Sequence, residues 1–206
     1  APEAVIRGKA TEALAAIDSA LRYYEGFRDA PGSWWADLAL LKVNTLVALG
    51  RDREAEPLAD SVARMASDPE VVRGARVHLA TSLMRKGDFE NAVKTFDAVL
   101  KEAKREDTLA AAAMNKGHSH LALKQPEPAL LAYLEIPVFY PEQRVLIPGA
   151  QLGAGRAYFG LLDLERAKAT LKDLIAKYPT TPDAKEAQTE LEKIARYEKA
   201  LQAPGT

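Results

Sequence analysis

The residues able to do chemistry in this chain of 206 residues are few, and their spacing excludes more than it supports. There are three histidines, His78, His118 and His120, and no cysteine. His118 and His120 stand two apart on an expected helix, where their side chains diverge by about 200°. The i, i+4 spacing of a helical metal pair is absent, so no metal site is expected. Without cysteine there is no thiol nucleophile, no thiolate zinc site and no disulfide framework. Acidic residues are scattered over solvated helix positions, and their spacing does not imply a pair of carboxylates at a shared site. No glycine-rich phosphate loop follows a strand, and no strand pattern is evident. The sequence therefore predicts neither catalysis nor a cofactor.

With 28 basic and 29 acidic residues the net charge is −1, so nucleic acid is not an expected partner. No apolar run approaches the roughly 18 residues of a membrane span. The chain begins at Ala1 without methionine, which implies removal of a signal peptide, an upstream domain or a tag.

The elements that must position any functional surface are helices, and they repeat. Ala154 to Pro179 reads as two amphipathic helices joined by a tight turn near Asp163, with apolar residues three and four apart and Pro179 as terminator. A helix pair this small cannot bury its apolar faces alone. Taking Ala167 as anchor, the equivalents are Ala129, Ala92 and Ala55, at spacings of 38, 37 and 37 residues. Four residues past the anchors stand Leu171, Tyr133, Phe96 and Ala59. Nine before them stand Tyr158, His120, Leu83 and Leu46, which makes His120 a packing residue. The turn column, five before, holds Leu162, Lys124, Gly87 and Gly50.

Small-x-x-aromatic, then Gly-Asp-aromatic, then Ala-x-x-x-aromatic with a closing proline resembles the tetratricopeptide repeat. The clearest copy runs from Leu79 to Leu100, with Ala80, Gly87, Asp88, Phe89, Ala92 and Phe96. Leu162 and Lys124 depart from it at the turn glycine, and Pro126 at the turn aromatic. The resemblance implies an all-α, right-handed superhelix in one domain over residues 1–206. Its parts are an N-terminal helix (3–22), four helix hairpins (34–66, 69–104, 108–141 and 148–179) and a C-terminal capping helix (183–202).

Several local readings accompany that scheme. The N-terminal helix matches the second helix of a repeat, with Ala13 and then Ile17. It is either a cap or the remnant of a longer array, the latter marked by an exposed apolar edge at Ile6, Ala10 and Leu14. Tyr24 to Ser33 reads as a loop with a turn at Pro31-Gly32 and an N-cap at Ser33. Of the adjacent Trp34 and Trp35, at most one can be well exposed, since they point about 100° apart on a helix. Asp68-Pro69-Glu70 is a helix start. Pro137 is expected to stop or kink its helix early, with a loop from Pro137 to Tyr140 and a short helix from Glu142 to Leu146. Phe139, Tyr140, Val145 and Leu146 there either form an apolar contact patch or merely vary the connector. Glu186, Glu190, Lys193 and Glu198 are expected on the polar outer face of the last helix, and Pro204-Gly205 as a frayed tail.

In tetratricopeptide arrays the first helices line a concave groove that holds a partner. Carried over by position, the resemblance assigns that groove to Leu40, Val77, Met114 and Leu152, to Asn44, Thr81, His118 and Arg156, and to Met84, Leu121 and Phe159, with Arg85 beside them. The implied function is a scaffold or adaptor gripping a peptide or helix, with methionines as adaptable contacts and Arg85 and Arg156 reaching carboxylates or carbonyls. The alternatives are a homodimer through an open edge or the proline-rich connector, and a non-catalytic segment of a larger protein. The family subset that grips chaperone C-termini is matched in kind by Asn44 and Arg85 alone, since His78, Thr81 and Ala122 do not complete its set. Tyr178-Pro179 followed by Ala184 and Ala187 is similar to repeat endings in bacterial envelope proteins of the Tol-Pal-associated and outer-membrane assembly lipoprotein type. That similarity implies a bacterial source and the periplasm or envelope, with the cytoplasm as the alternative.

Overall fold

A computed structural model describes the backbone of residues 2–27 and 34–202 and the side chains of residues 8–26 and 34–201. The expected turn at Pro31-Gly32, the Ser33 cap and the tail at Pro204-Gly205 lie outside the described residues. Within them the chain is all-α, with no strand. It divides into two compact units, residues 1–108 and 109–206.

The first unit contains α1 (Pro2–Tyr24), a single 3₁₀ turn over residues 25–27, α2 (Trp35–Ala48), α3 (Asp52–Met65), α4 (Pro69–Arg85) and α5 (Phe89–Glu102). The second is built from α6 (Glu106–Ala122, whose first turn lies before the division), α7 (Pro126–Phe139), α8 (Ile147–Gly160), α9 (Leu164–Lys177) and α10 (Pro182–Gln202). Helices α2–α3, α4–α5, α6–α7 and α8–α9 form the hairpins, each within one or two residues of its expected bounds.

The turns show why the hairpins repeat. Gly50, Gly87, Lys124 and Leu162 have positive φ values of 72°, 83°, 57° and 60°. In each, the next residue's N–H reaches back five residues to a helix carbonyl: Arg51 to Leu46 at 2.8 Å, Asp88 to Leu83 at 2.9 Å, Gln125 to His120 at 2.8 Å and Asp163 to Tyr158 at 2.9 Å. This is the left-handed cap that closes a helix C-terminus and satisfies its last carbonyls. Lysine and leucine adopt it in unit 2 at a steric cost that glycine avoids in unit 1.

In unit 1, Ile17 and Leu21 of α1 pack with Trp35, Ala39, Val62 and Val71, while Leu14 joins Val43, Leu46 and Ala55. Trp35 is buried and Trp34 exposed, as the helical divergence requires. Leu14 is buried and Ala10 half-buried, so these two do not form an open apolar edge. The side chain of Ile6 is outside the described set. Asp68 caps α4 by accepting the Glu70 N–H at 2.8 Å. Glu70 in turn accepts the backbone N–H groups of Lys104 and Arg105 at 3.1–3.2 Å, which ties the end of the α5 segment to the start of α4.

In unit 2 the core gathers Leu152, Ala167, Leu171, Leu174, Ala187 and Ile194. Three expectations are corrected there. The helix runs through Pro137 to Phe139, because the proline lies in the last turn, where one lost donor bond ends little helix. Residues 141–146 are turns, not a helix, held by Gln143 N–H to Tyr140 O at 3.0 Å and Leu146 N–H to Gln143 O at 2.9 Å. Glu190 is also not on an outer polar face. It is 6% exposed and bonded to Arg156 and Lys193.

Candidate functional site

The expected contact residues stand on the first helices of the hairpins: α2 and α4 in unit 1, α6 and α8 in unit 2. Each unit brings its own set together by a different local chemistry.

In unit 1, Leu40 lies over Gly74, where a Cβ would come within 2.9 Å of the leucine methyl. That close approach of α2 and α4 sets Asn44 beside His78, with Oδ1 and Nε2 2.5 Å apart. An amide oxygen only accepts, so the imidazole donates from Nε2. Burial, and secondarily the charge of Arg85, lowers the His78 pKa to about 4. The ring is therefore neutral at pH 7. Thr81 turns back to donate to the Val77 carbonyl at 2.8 Å. Arg85 forms an ion pair with Asp52 at the start of α3. Met84 is half-buried, and Val77 is 6% exposed. The polar groups expected to face a partner are thus satisfied inside the unit.

In unit 2, Met114 of α6 is buried against Gly149 of α8, 3.2 Å from where a Cβ would stand. Leu152 is buried in the core with Leu171 and Leu174. Val77, Met114 and Leu152 share one column of the repeat, and their burial removes them from any contact surface. For Met114 the reason is Gly149, whose lack of a side chain lets α8 come close; for Leu152 it is packing against Leu171, Leu174 and Ile194 of α9 and α10. Leu121 remains half-buried, and Phe159 stacks edge-on against Tyr197 of α10 with ring centroids 5.6 Å apart.

Arg156 is engaged by α10. Its Nη2 donates to Glu186 at 2.8 Å and its Nε to the buried Glu190 at 2.9 Å. Burial pulls the guanidinium pKa down, but the bonds to Glu186 and Glu190 outweigh it and hold the pKa raised. The arginine expected to meet a partner's carboxylate thus already holds two.

His118 differs. It is exposed on α6, and among the described residues its ring nitrogens make no hydrogen bond. Its pKa is lowered first by the surrounding protein, then by the charge of Arg156, with Asp183 opposing. Its ring meets Tyr133 edge-on at 5.6 Å. Tyr133 enters from α7 and lies against two glycines: a Cβ on Gly117 would fall 2.7 Å from the ring, and one on Gly153 2.4 Å. Tyr133 is 1% exposed, its hydroxyl has no partner, and burial raises its pKa. Sequence reading placed Tyr133 as a packing aromatic and missed the stranded hydroxyl. Glycines on both first helices flanking a tyrosine were the available signal. His120 behaves as a core histidine, buried, with Nδ1 2.8 Å from Gln125 Oε1.

No group of three or more His, Asp or Glu side chains among the described residues is arranged to hold a metal ion. No helix among them is long and apolar enough to cross a membrane.

Tetratricopeptide repeat family models match residues 40–107, 77–143 and 150–181, the first two together spanning just over half of the chain. The chain belongs to the tetratricopeptide repeat family. Solved structures agree on the fold. A tetratricopeptide repeat protein from Parabacteroides merdae ATCC 43184 aligns with TM-score 0.57 at 18% identity, over 79% of this chain and 60% of that one. BtubC (BKLC) from P. vanneervenii aligns with TM-score 0.60 at 16% identity, over 100% of this chain and 94% of that one. MamA from Desulfovibrio magneticus RS-1 aligns with TM-score 0.54 at 23% identity, over 82% of this chain and 97% of that one. This chain thus spans about three-fifths of the Parabacteroides protein. At these identities the likeness concerns the fold alone. No curated protein matches the sequence. Tetratricopeptide repeats generally mediate protein–protein interaction, and the fold is typically a non-catalytic scaffold.

Proposed function

We propose that this tetratricopeptide protein is an interaction module that takes an extended peptide of a protein partner on the first-helix face of unit 2, along α6 and α8. One observation carries the reading. Asn44, Thr81, His118 and Arg156 occupy the same repeat position, and three of them are spent internally: on His78, on the Val77 carbonyl, and on Glu186 with Glu190. His118 alone has no hydrogen-bond partner among the described residues.

The lowered pKa keeps this imidazole neutral at pH 7, with one donor and one acceptor nitrogen. That pair complements the N–H and C=O of an extended backbone. Leu121 and Phe159 supply neighbouring apolar surface for the peptide's side chains, whose burial contributes roughly 25 cal/mol per Å². The envelope-type ending at Tyr178 to Ala187 supports a bacterial envelope setting for that partner.

The reading is tested by selecting peptides from a displayed random library on the intact protein and mapping amide hydrogen exchange with and without a selected peptide. Protection centred on the α6 and α8 residues around His118 and Phe159 is expected. Protection confined to α2 and α4, or to the second helices, counts against it.

A further inference from the structure

A second surface lies on the opposite helices of unit 2. The second helix of every other hairpin carries at least one charged residue in its outer column. At two, five and nine residues past the anchor, α3 carries Pro57, Asp60 and Arg64, α5 carries Lys94, Asp97 and Lys101, and α9 carries Ala169, Lys172 and Ala176. In α7 the same three positions are Leu131, Leu134 and Val138, which are 62%, 39% and 66% exposed. The helix is thus apolar on two faces, since Ala129, Ala132, Tyr133 and Ile136 form its buried side. Packing within the chain needs one such face. Phe139 and Val145, 65% and 91% exposed, extend the apolar surface beyond the helix end.

Two further observations give the occupant's chemistry. Glu127 and Glu135 stand four residues to either side of Leu131, on the same stripe, and no lysine or arginine occurs between Lys124 and Arg144. Beside the stripe is a cavity of about 360 Å³ bordered by Leu134, Pro137, Gln151, Ala154 and Asp173. The Gln151 side chain donates to Asp173 Oδ2 at 3.1 Å, and Lys177 reaches the same oxygen at 2.9 Å. Gln151 Oε1 is buried without a partner. Leaving a buried acceptor unpaired is unfavourable, and Gln151 borders the cavity, so a donor entering there would relieve it.

We infer that α7 is the docking site for a basic amphipathic helix of a partner protein. Apolar residues spaced i, i+3, i+7 lie along Leu131, Leu134 and Val138, lysines or arginines face Glu127 and Glu135, and one of these donors enters the cavity toward Gln151 Oε1. A second copy of this chain fits less well, because each copy brings two carboxylates and no base to an α7–α7 contact. The inference is independent of the peptide reading for α6 and α8.

The probe is a synthetic helical peptide of about 18 residues, long enough to hold a helix when its apolar face is covered, with leucines at that spacing and lysines elsewhere. Its binding to the full chain is read by fluorescence anisotropy. The lysine peptide is expected to bind at least about tenfold more tightly than its glutamate analogue, which carries the same leucines. Leu131→Gln with Val138→Gln is expected to weaken it at least about tenfold, and these exposed sites leave folding intact. Glu135→Lys is a second variant that touches charge alone and also weakens it. His118→Glu leaves this binding unchanged, which separates it from failure of the peptide reading. No binding of the lysine peptide, equal binding of both peptides, or equal binding by wild type and the Leu131/Val138 variant overturns the inference. So does a homodimer in light scattering that the same variant dissolves, which would give the stripe to a second copy.

Discussion

Unit 1 and unit 2 are built from the same hairpin, yet they differ in what they leave unfinished. Unit 1 closes its turns with glycine, pairs Asn44 with His78 and Arg85 with Asp52, and turns charge outward on α3 and α5. Unit 2 closes its turns with Lys124 and Leu162 in a left-handed conformation, leaves His118 and the Tyr133 hydroxyl without hydrogen-bond partners, and exposes an apolar stripe on α7. Departures from local consistency concentrate where a chain is shaped for something beyond its own stability. The difference teaches that the repeat pattern makes the scaffold, and that function is to be sought where one copy breaks the pattern.

The sharpest way to break the comparison is at the tyrosine wedge. Gly153→Ala places a methyl 2.4 Å from the buried Tyr133 ring, which is also confined by Gly117. The expected cost is about 3 kcal/mol, the upper part of the range for overpacking, read as a lower midpoint in chemical denaturation. The counterpart in unit 1, Gly74→Ala, meets only the methyl of half-buried Leu40, which can rotate, and should cost under about 1 kcal/mol.

Arg156→Ala is next. It strands Glu190, buried with only Lys193 as remaining partner, at an expected cost of about 2 kcal/mol, below the usual figure for a broken buried pair because that lysine stays. Arg85→Ala in unit 1 removes an exposed pair with Asp52 and should cost under about 0.5 kcal/mol. Thermal melts of the two variants decide whether the arginines differ as described.

The histidines give a pH signature. The His78 pKa falls from 6.5 in the unfolded chain to about 4 in the fold. Between those values the unfolded state binds more protons, so stability drops as pH falls through 6.5 and levels off below about 4. Discounted for partial exposure, the loss is about 1–2 kcal/mol. His78→Gln should flatten the stability profile across that window. An unchanged slope in the variant refutes the assignment.

The smallest effects belong to the turns. Lys124→Gly and Leu162→Gly each relieve a left-handed side chain and are expected to stabilise by about 0.5 kcal/mol, after the entropy glycine adds to the unfolded chain. Gly87→Ala should destabilise by about 1 kcal/mol. Denaturation midpoints moving in opposite directions are the check.

Much of this was legible in the sequence. The anchor alanines gave the hairpins, and the column Gly50, Gly87, Lys124 and Leu162 gave the turns even where glycine is missing, because the cap is imposed by the hairpin and not by the residue. The site was less legible. Counting along repeats places a residue on a face but not the distance between faces, so it missed the burial of Met114 against Gly149 of α8 and of Leu152 among Leu171, Leu174 and Ile194. The partners of Asn44 and Arg156 lie 34 residues away on other helices, at the repeat period, where charge and size alone do not announce a bond. Pro137 shows the converse: a strong local signal, overridden because it falls in a helix's last turn.

The central claim is that unit 2 holds the open partner-binding chemistry of the first-helix face. It is tested most directly by titrating one library-selected peptide into wild type, His118→Glu and Asn44→Ala by calorimetry, with folding checked by circular dichroism. The account predicts at least about tenfold weaker binding for His118→Glu, since a carboxylate cannot donate to the peptide backbone, and wild-type affinity for Asn44→Ala. Wild-type affinity in a folded His118→Glu variant, or loss on Asn44→Ala alone, contradicts it.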